Sequence, residues 1–262
     1  MSFLGFLKRR PRKDRPEKGL PHIPAGQRVY AIGDIHGRDD LFEQLLAKIE
    51  ADNAARTKTF TTLILLGDLV DRGPDSASVI ERAIRLGAPF DKVQLLIGNH
   101  EECFLAALTG DLRRVRYFIR IGGDATVKSY WCDDAAYAAA DFDEVAKRLP
   151  GLVPQSHVDF LGRGENLIQI GDYVFVHAGV RPGVPLDRQQ LSDLRWIREE
   201  FIEGEHDHGL TVVYGHTISD AVDEARGRIG IDTGAYMTGR LTALGLEGCK
   251  RWILDTADLE PQ

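Results

Sequence analysis

The chain has 262 residues, 43% of them hydrophobic and 28% charged, with a mean hydropathy of −0.22. That is the composition of a folded soluble domain, not of a disordered, collagenous or membrane-spanning chain. The net charge of −7 argues against a general nucleic-acid binder. The charge is uneven: residues 1–20 hold seven bases and two acids, which leaves the remainder of the chain at −12.

The apolar start Phe3, Leu4, Phe6 and Leu7 is followed by bases, the reverse of a secretory signal. Residues 8–24 are basic and carry Pro11, Pro16, Pro21 and Pro24. This composition reads as a solvated tail over 1–24. As an alternative, residues 1–20 would make weak contact with an anionic lipid surface. The remainder, 25–262, reads as one domain. Short apolar runs are expected as buried strands at Val29–Ile32, Thr61–Leu66, Val93–Ile97, Tyr173–Val176, Thr211–Tyr214 and Ile229–Ile231. Helices are expected at Arg38–Glu50, with Leu41, Leu45, Leu46 and Ile49 on one face, and at Pro74–Leu86. The alternation predicts an α/β layered core. Residues 102–165 lack such runs and read as a mostly helical insertion over one end of the sheet. Leu241–Leu246 and Trp252–Leu254 are assigned to a second sheet. Three cysteines without CxxC spacing, Cys103, Cys132 and Cys249, suit a reducing, cytoplasmic setting. No apolar run is long enough to cross a membrane.

Polar clusters follow the apolar runs: Gly33-Asp34-Ile35-His36-Gly37, Gly67-Asp68-Leu69-Val70-Asp71-Arg72-Gly73, Gly98-Asn99-His100-Glu101, His177-Ala178-Gly179 and Gly215-His216. Sites in open α/β sheets lie beyond the carboxyl ends of the strands, so these clusters should meet in space. Carboxylate, imidazole and amide oxygen without thiolate favour Mn, Fe or Zn. Asp34 and His36, two apart, share a face of an extended segment.

The ordered motifs GDxHG, GDxVDRG and GNHE, with two later histidines, resemble the calcineurin-like metallophosphoesterases. The similarity is greatest to the phosphoprotein phosphatase branch, in its bacterial and phage members, and covers about residues 28–246. It implies a β-sandwich core flanked by helices, and two divalent metals, with Mn²⁺ the first choice and Fe or Zn the others. Asp34, His36 and Asp68 would hold one metal; Asp68, Asn99, His177 and His216 would hold the second. A hydroxide bridging the metals would attack phosphorus directly. His100 would be the general acid, oriented by Asp71. Arg72, Asn99 and Arg198 would bind the phosphate, with Arg198 preferred over Arg195.

The first expected substrate is a phosphorylated protein at Ser/Thr or Tyr. The alternative is a symmetrical dinucleoside polyphosphate such as diadenosine tetraphosphate. Tyr117, Phe118, Tyr130, Trp131, Arg113, Arg114 and Arg116 are the candidates to grip a nucleotide. A non-enzymatic scaffold is disfavoured because every motif position is intact. Glu101 reads equally as a site residue and as a helix cap. His206 and His208 read as a solvated loop, and Asp232 as support behind His216. The pair Gly122-Gly123 and the residues up to Tyr130 resemble an insertion segment of bacterial relatives, but Ile121 departs from the usual polar residue. The sequence assigns no oligomeric state.

Overall fold

The computed structural model describes residues 19–131, 133–205 and 209–257. Most of the basic tail, and with it the expected lipid contact, lies outside the described residues, as do Cys132, His206 and His208.

Strand β1 (Gln27–Ile32) runs parallel to β2 (Phe60–Leu65), and β2 parallel to β3 (Lys92–Leu95). The crossovers are α1 (Asp39–Ala55) and α2 (Ser76–Arg85). Helix α1 buries Leu41, Phe42, Leu45, Leu46 and Ile49, the stripe expected from a 3.6-residue period. Helix α2 starts after Asp75, whose side chain accepts from the Ser78 amide at 3.0 Å, so Pro74 lies just outside it.

The chain then forms six helices: α3 (Asn99–Ala107), α4 (Leu112–Phe118), α5 (Asp124–Trp131), α6 (Asp134–Ala139), α7 (Phe142–Leu152) and α8 (Gln155–Gly162). A π-turn at Ile119–Gly123 joins α4 to α5. Next come β4 (Ile168–Ile170) and β5 (Tyr173–Phe175), α9 (Leu191–Trp196) and α10 (Glu199–Ile202). They are followed by β6 (Thr211–Tyr214), β7 (Asp223–Ala225), β8 (Arg228–Gly230), α11 (Ala235–Thr238), β9 (Thr242–Glu247) and β10 (Lys250–Asp255).

Two five-stranded sheets result, β10-β9-β1-β2-β3 and β4-β5-β6-β8-β7. Residues alternating along each strand separate the layers. Val29 and Ala31 of β1 pack with Phe175, Val213 and Ile229 of the second sheet. Tyr30 and Ile32 face the layer that holds α1, α2 and the helices after β3. Val174, Val212 and Tyr214 pack on Leu194, Ile197 and Phe201 at the far side. The fold is therefore α/β, a β-sandwich between helical layers.

The assignment of Leu241–Leu246 and Trp252–Leu254 to the second sheet is corrected. Strand β9 pairs antiparallel with β1, and β10 with β9. Strand β9 is apolar on both faces: Leu244 and Leu246 enter the sandwich, while Ala243 faces the helices. It therefore suits a position inside the first sheet. Phe42 is wholly buried between α1 and that sheet. Phe42→Ala should lower unfolding free energy by ~3–5 kcal/mol, read as a lower urea midpoint at constant slope.

Candidate active site

The loops after β1, β2, β3, β5 and β6 converge at one end of the two sheets. Ligand-type atoms of His36, Asp68 and His100 lie within 4.8 Å of one another, as do those of Asp68, His177 and His216. Asp68 belongs to both groups. His177 Nε2 is 3.0 Å from Asn99 Oδ1, 3.2 Å from His216 Nδ1 and 3.4 Å from Asp68 Oδ1. His36 Nε2 is 3.6 Å from Asp68 Oδ2. Asp34 Oδ2 accepts from the His216 amide at 3.0 Å. All six expected ligand positions are thus brought together and buried.

Hydrogen bonding sets two imidazoles as lone-pair donors. His36 Nδ1 donates to the Val70 carbonyl at 2.7 Å, and His177 Nδ1 to the Leu66 carbonyl at 2.9 Å. In each ring this turns an unprotonated Nε2 towards the cluster, the arrangement found behind metal-bound histidines. Asp34 Oδ1 and His216 Nε2 are buried with no hydrogen-bond partner among the described residues. Oxygen and nitrogen donors with orphaned atoms of this kind fit a hard or borderline divalent cation.

Charge in the cluster is divided unequally. Burial pushes Asp34 well above the usual carboxylate range, and Asp232 and Asp68 push it further. Burial also raises Asp71, and it brings Asp232 to about 6. In Asp68 burial acts upward too, but His177, His100, His36 and His216 together hold it below the usual range. Desolvation lowers His36 to about 3 and His216 to about 2, and it lowers His177. His100 goes the other way: burial opposes its charge, but Asp68 and Asp71 outweigh burial and raise it. The cluster therefore contains three neutral imidazoles and one that favours a proton.

The backbone is held in costly conformations here. The non-glycine residues with positive φ among the described residues are His36, Asp68, Asp71, Arg72 and His216, every one at this site. Two glycines are required by close approach. A Cβ on Gly98 would meet the Asp68 amide nitrogen at 2.6 Å, and one on Gly215 would collide with the Asp34 carboxylate. Glu101 resolves its two expected roles by filling both. It caps α3 by accepting from the Gly98 amide at 3.0 Å. Its buried carboxylate also accepts from the amides of Asp68 and Leu69, each at 2.7 Å, tying the β2 loop to α3. The G-x-x-E spacing signals the cap but not the bonds to a loop some thirty residues away.

The expected phosphate and proton groups are also adjacent. His100 Nδ1 is 2.5 Å from Asp71 Oδ2. Arg72 Nη1 donates to His36 Nε2 at 3.0 Å, Nη2 lies 3.0 Å from His100 Nε2, and the guanidinium is 4.9 Å from the ring centroid of Tyr236. Tyr236 escaped the sequence reading, since nothing local marks it. Arg198 is half-buried and close enough to oppose protonation of His177 and His216. Arg195 instead donates to Asn166 and pairs with Glu102, consistent with the preference for Arg198. Asp232 lies against Asp34, and its Oδ1 accepts from the Gly234 amide. The nucleotide-gripping aromatics need correction: Phe118, Tyr130 and Trp131 are buried in the core, and only Tyr117 is exposed. Val127, Tyr130 and Trp131 have i, i+3, i+4 spacing, the signature of a core face. Arg113, Arg114 and Arg116 are exposed on α4.

The family model for calcineurin-like phosphoesterases matches residues 27–240. The chain belongs to the calcineurin-like phosphoesterase family. It is 38% identical over 154 residues to a symmetrical bis(5'-nucleosyl)-tetraphosphatase of Acidovorax sp. strain JS42, covering 59% of this chain and 44% of that protein. It is 32% identical over 163 residues to the protein of the same name from Nitrosomonas europaea, covering 62% and 48%. The matches thus span less than half the length of these relatives. Among solved structures, a chain provisionally named a diadenosine tetraphosphatase superposes with a TM-score of 0.60 at 24% identity, over 88% of this chain and 94% of that one. A cold-active protein-tyrosine phosphatase of a psychrophilic Shewanella species gives 0.54 at 21% identity, over 94% and 89%. At such identities the structural likeness establishes the fold. The chain is thus a member of the metallophosphoesterases whose converging loops gather His and Asp side chains of metal-ligand type.

The Glu101 clamp can be tested by metal titration. Glu101→Gln puts an amide NH₂ against backbone N–H donors. It should weaken Mn²⁺ binding by ~10–100-fold in calorimetry, the usual effect of losing a group that orients a ligand. An unchanged affinity would show that Asp68 does not depend on the clamp.

Proposed function

We propose that the protein hydrolyses symmetrical dinucleoside polyphosphates, with diadenosine tetraphosphate as the reference substrate. The observation that carries this is the likeness to symmetrical bis(5'-nucleosyl)-tetraphosphatases, at 38% identity in the first case. The second of the two substrate readings from the motifs is therefore preferred over phosphoprotein. The shared phosphatase fold does not separate them.

In this reading Asp34, His36 and Asp68 hold one divalent cation, and Asp68, Asn99, His177 and His216 a second. Bound there, the cations supply Lewis acidity to a phosphoryl group and acidify a water nucleophile. The chain's own residues do the rest. Arg72 and Arg198 present forked donors to phosphate oxygens, and the Asn99 amide adds a contact. Asp71 fixes the His100 ring so that a proton on Nε2 faces the leaving oxygen. With a symmetrical tetraphosphate, cleavage at the central bridge releases two nucleoside diphosphates. A diphosphate leaves more readily than an alkoxide, so this substrate depends less on His100 than a phosphoserine would.

The test is a panel with Mn²⁺: diadenosine tetraphosphate, phosphoserine and phosphotyrosine peptides, and an aryl phosphate, with Asp68→Asn as control. We expect kcat/KM for the dinucleotide to exceed that for each peptide by at least ~10-fold, with nucleoside diphosphate as the sole product, and Asp68→Asn to abolish turnover. A preference for a phosphopeptide would restore the phosphoprotein reading. Unchanged turnover in Asp68→Asn would remove the shared-carboxylate site.

A further inference from the structure

Segment 122–130 of the insertion contacts the site through its backbone and hydroxyl groups. The Gly122 carbonyl accepts from the Arg72 amide at 3.0 Å. Thr126, in the first turn of α5, is wholly buried. Its hydroxyl donates to Asp71 Oδ1 at 2.6 Å. The Asp71 amide reaches both Thr126 Oγ1, at 2.8 Å, and Ser76 Oγ, at 3.0 Å. The two hydroxyls are 2.9 Å apart. Ser129 Oγ accepts from the Ala77 amide at 3.2 Å and fastens α5 to α2.

The polarity of this chain of groups is fixed by chemistry. Asp71 Oδ2 is taken by His100 Nδ1. An ionised carboxylate only accepts, so the Thr126 proton must point at Oδ1. Thr126 Oγ1 then accepts in turn, and the Ser76 hydroxyl is oriented to supply its proton. Asp71 has φ +76, a left-handed conformation uncommon for a residue other than glycine. Two hydroxyls on its amide, one of which also donates to Oδ1, determine where Oδ2 points, and so the plane of the His100 ring.

We propose that Thr126 is a positioning residue for proton delivery, through which the insertion sets the geometry of the Asp71–His100 pair. Ser76 is its support. The inference rests on His100 acting as the general acid and adds a cause for its orientation. The segment that resembles part of the insertion of bacterial relatives thereby gains a role that needs no contact with substrate. Thr126 does not touch the phosphoester. Its removal acts on the transfer of a proton from Nε2 to the leaving oxygen as the P–O bond breaks, and leaves phosphate binding intact.

The experiment uses the full chain with Mn²⁺ and a series of phosphate monoesters, from phosphoserine peptide through phenyl phosphate to 4-nitrophenyl phosphate. Thr126→Val keeps the shape and removes the hydroxyl. We expect kcat to fall by ~10–100-fold for the poorest leaving group and by less than ~3-fold for 4-nitrophenyl phosphate, with KM and Mn²⁺ affinity within ~2-fold of the parent. Thr126→Ser should restore kcat to within ~3-fold across the series. Ser76→Ala should show the same graded loss at smaller size, and it serves if Thr126→Val does not fold. Equal loss for every leaving group, a loss carried by KM, or failure of Thr126→Ser to rescue would overturn the inference. His100→Gln run in parallel separates the two levels. A graded loss in His100→Gln without one in Thr126→Val sinks the positioning role alone. No graded loss in His100→Gln sinks the general-acid reading on which it stands.

Discussion

The site depends on keeping one buried carboxylate charged. Asp68 is 1% exposed, and a lone carboxylate at such a place would take up a proton. Compensation comes from His100, the one ring of the four around it that favours a proton, and from the His100 amide, which donates to Asp68 Oδ1 at 3.0 Å. The neighbouring acids have less of it: burial raises Asp34, Asp71, Glu101 and Asp232. Acid collected without matching base is a site that favours cations. Any divalent ion bound to it adds its binding free energy to folding.

Holding Asp68 in place costs backbone strain, on the order of 1–3 kcal/mol for each left-handed non-glycine residue. All five such residues among the described ones lie at the cluster, so the strain is on the order of several kcal/mol in one place. Regular structure offsets it. The parallel strands β1, β2 and β3 end beside one another, and their loops leave in the same direction. Glu101 then binds the β2 loop to the first turn of α3 through backbone amides. Hydrogen bonds in a dry interior are stronger than the same bonds in water, and this one acceptor serves two loops.

The legible part of the molecule is the part with short-range order. Five of the six expected strand runs end in a polar cluster, so the strand-end rule alone gathers Asp34, Asp68, Asn99, His177 and His216 at one end of the sheets. The β9–β10 hairpin was placed in the wrong sheet because a two-faced apolar strand fits either, and only its pairing with β1 decides. Short strands β4 and β7 have three residues each, too few to show a period. Phe118, Tyr130 and Trp131 differ from the nucleotide-gripping expectation although the spacing of Tyr130 and Trp131 with Val127 marks a core face. Residue type outweighed period there. Thr126 had no local signal at all: its partner Asp71 is 55 residues away, and a threonine in the first turn of a helix looks like any other.

The insertion is therefore less a lid than a brace. Phe104, Phe118, Tyr130 and Trp131 continue the core of the first sheet, and Gly122 and Thr126 bond to the loop carrying Asp71 and Arg72. A Cβ on Gly122 would meet Arg72 Cγ at 2.8 Å, so the approach leaves no room for a larger residue. A change in the insertion can then alter chemistry at the metal end without touching substrate, by shifting Asp71 and Arg72 together. Of the insertion's described aromatic residues, Tyr117 and Phe142 are the exposed ones, and Arg113, Arg114 and Arg116 are exposed on α4.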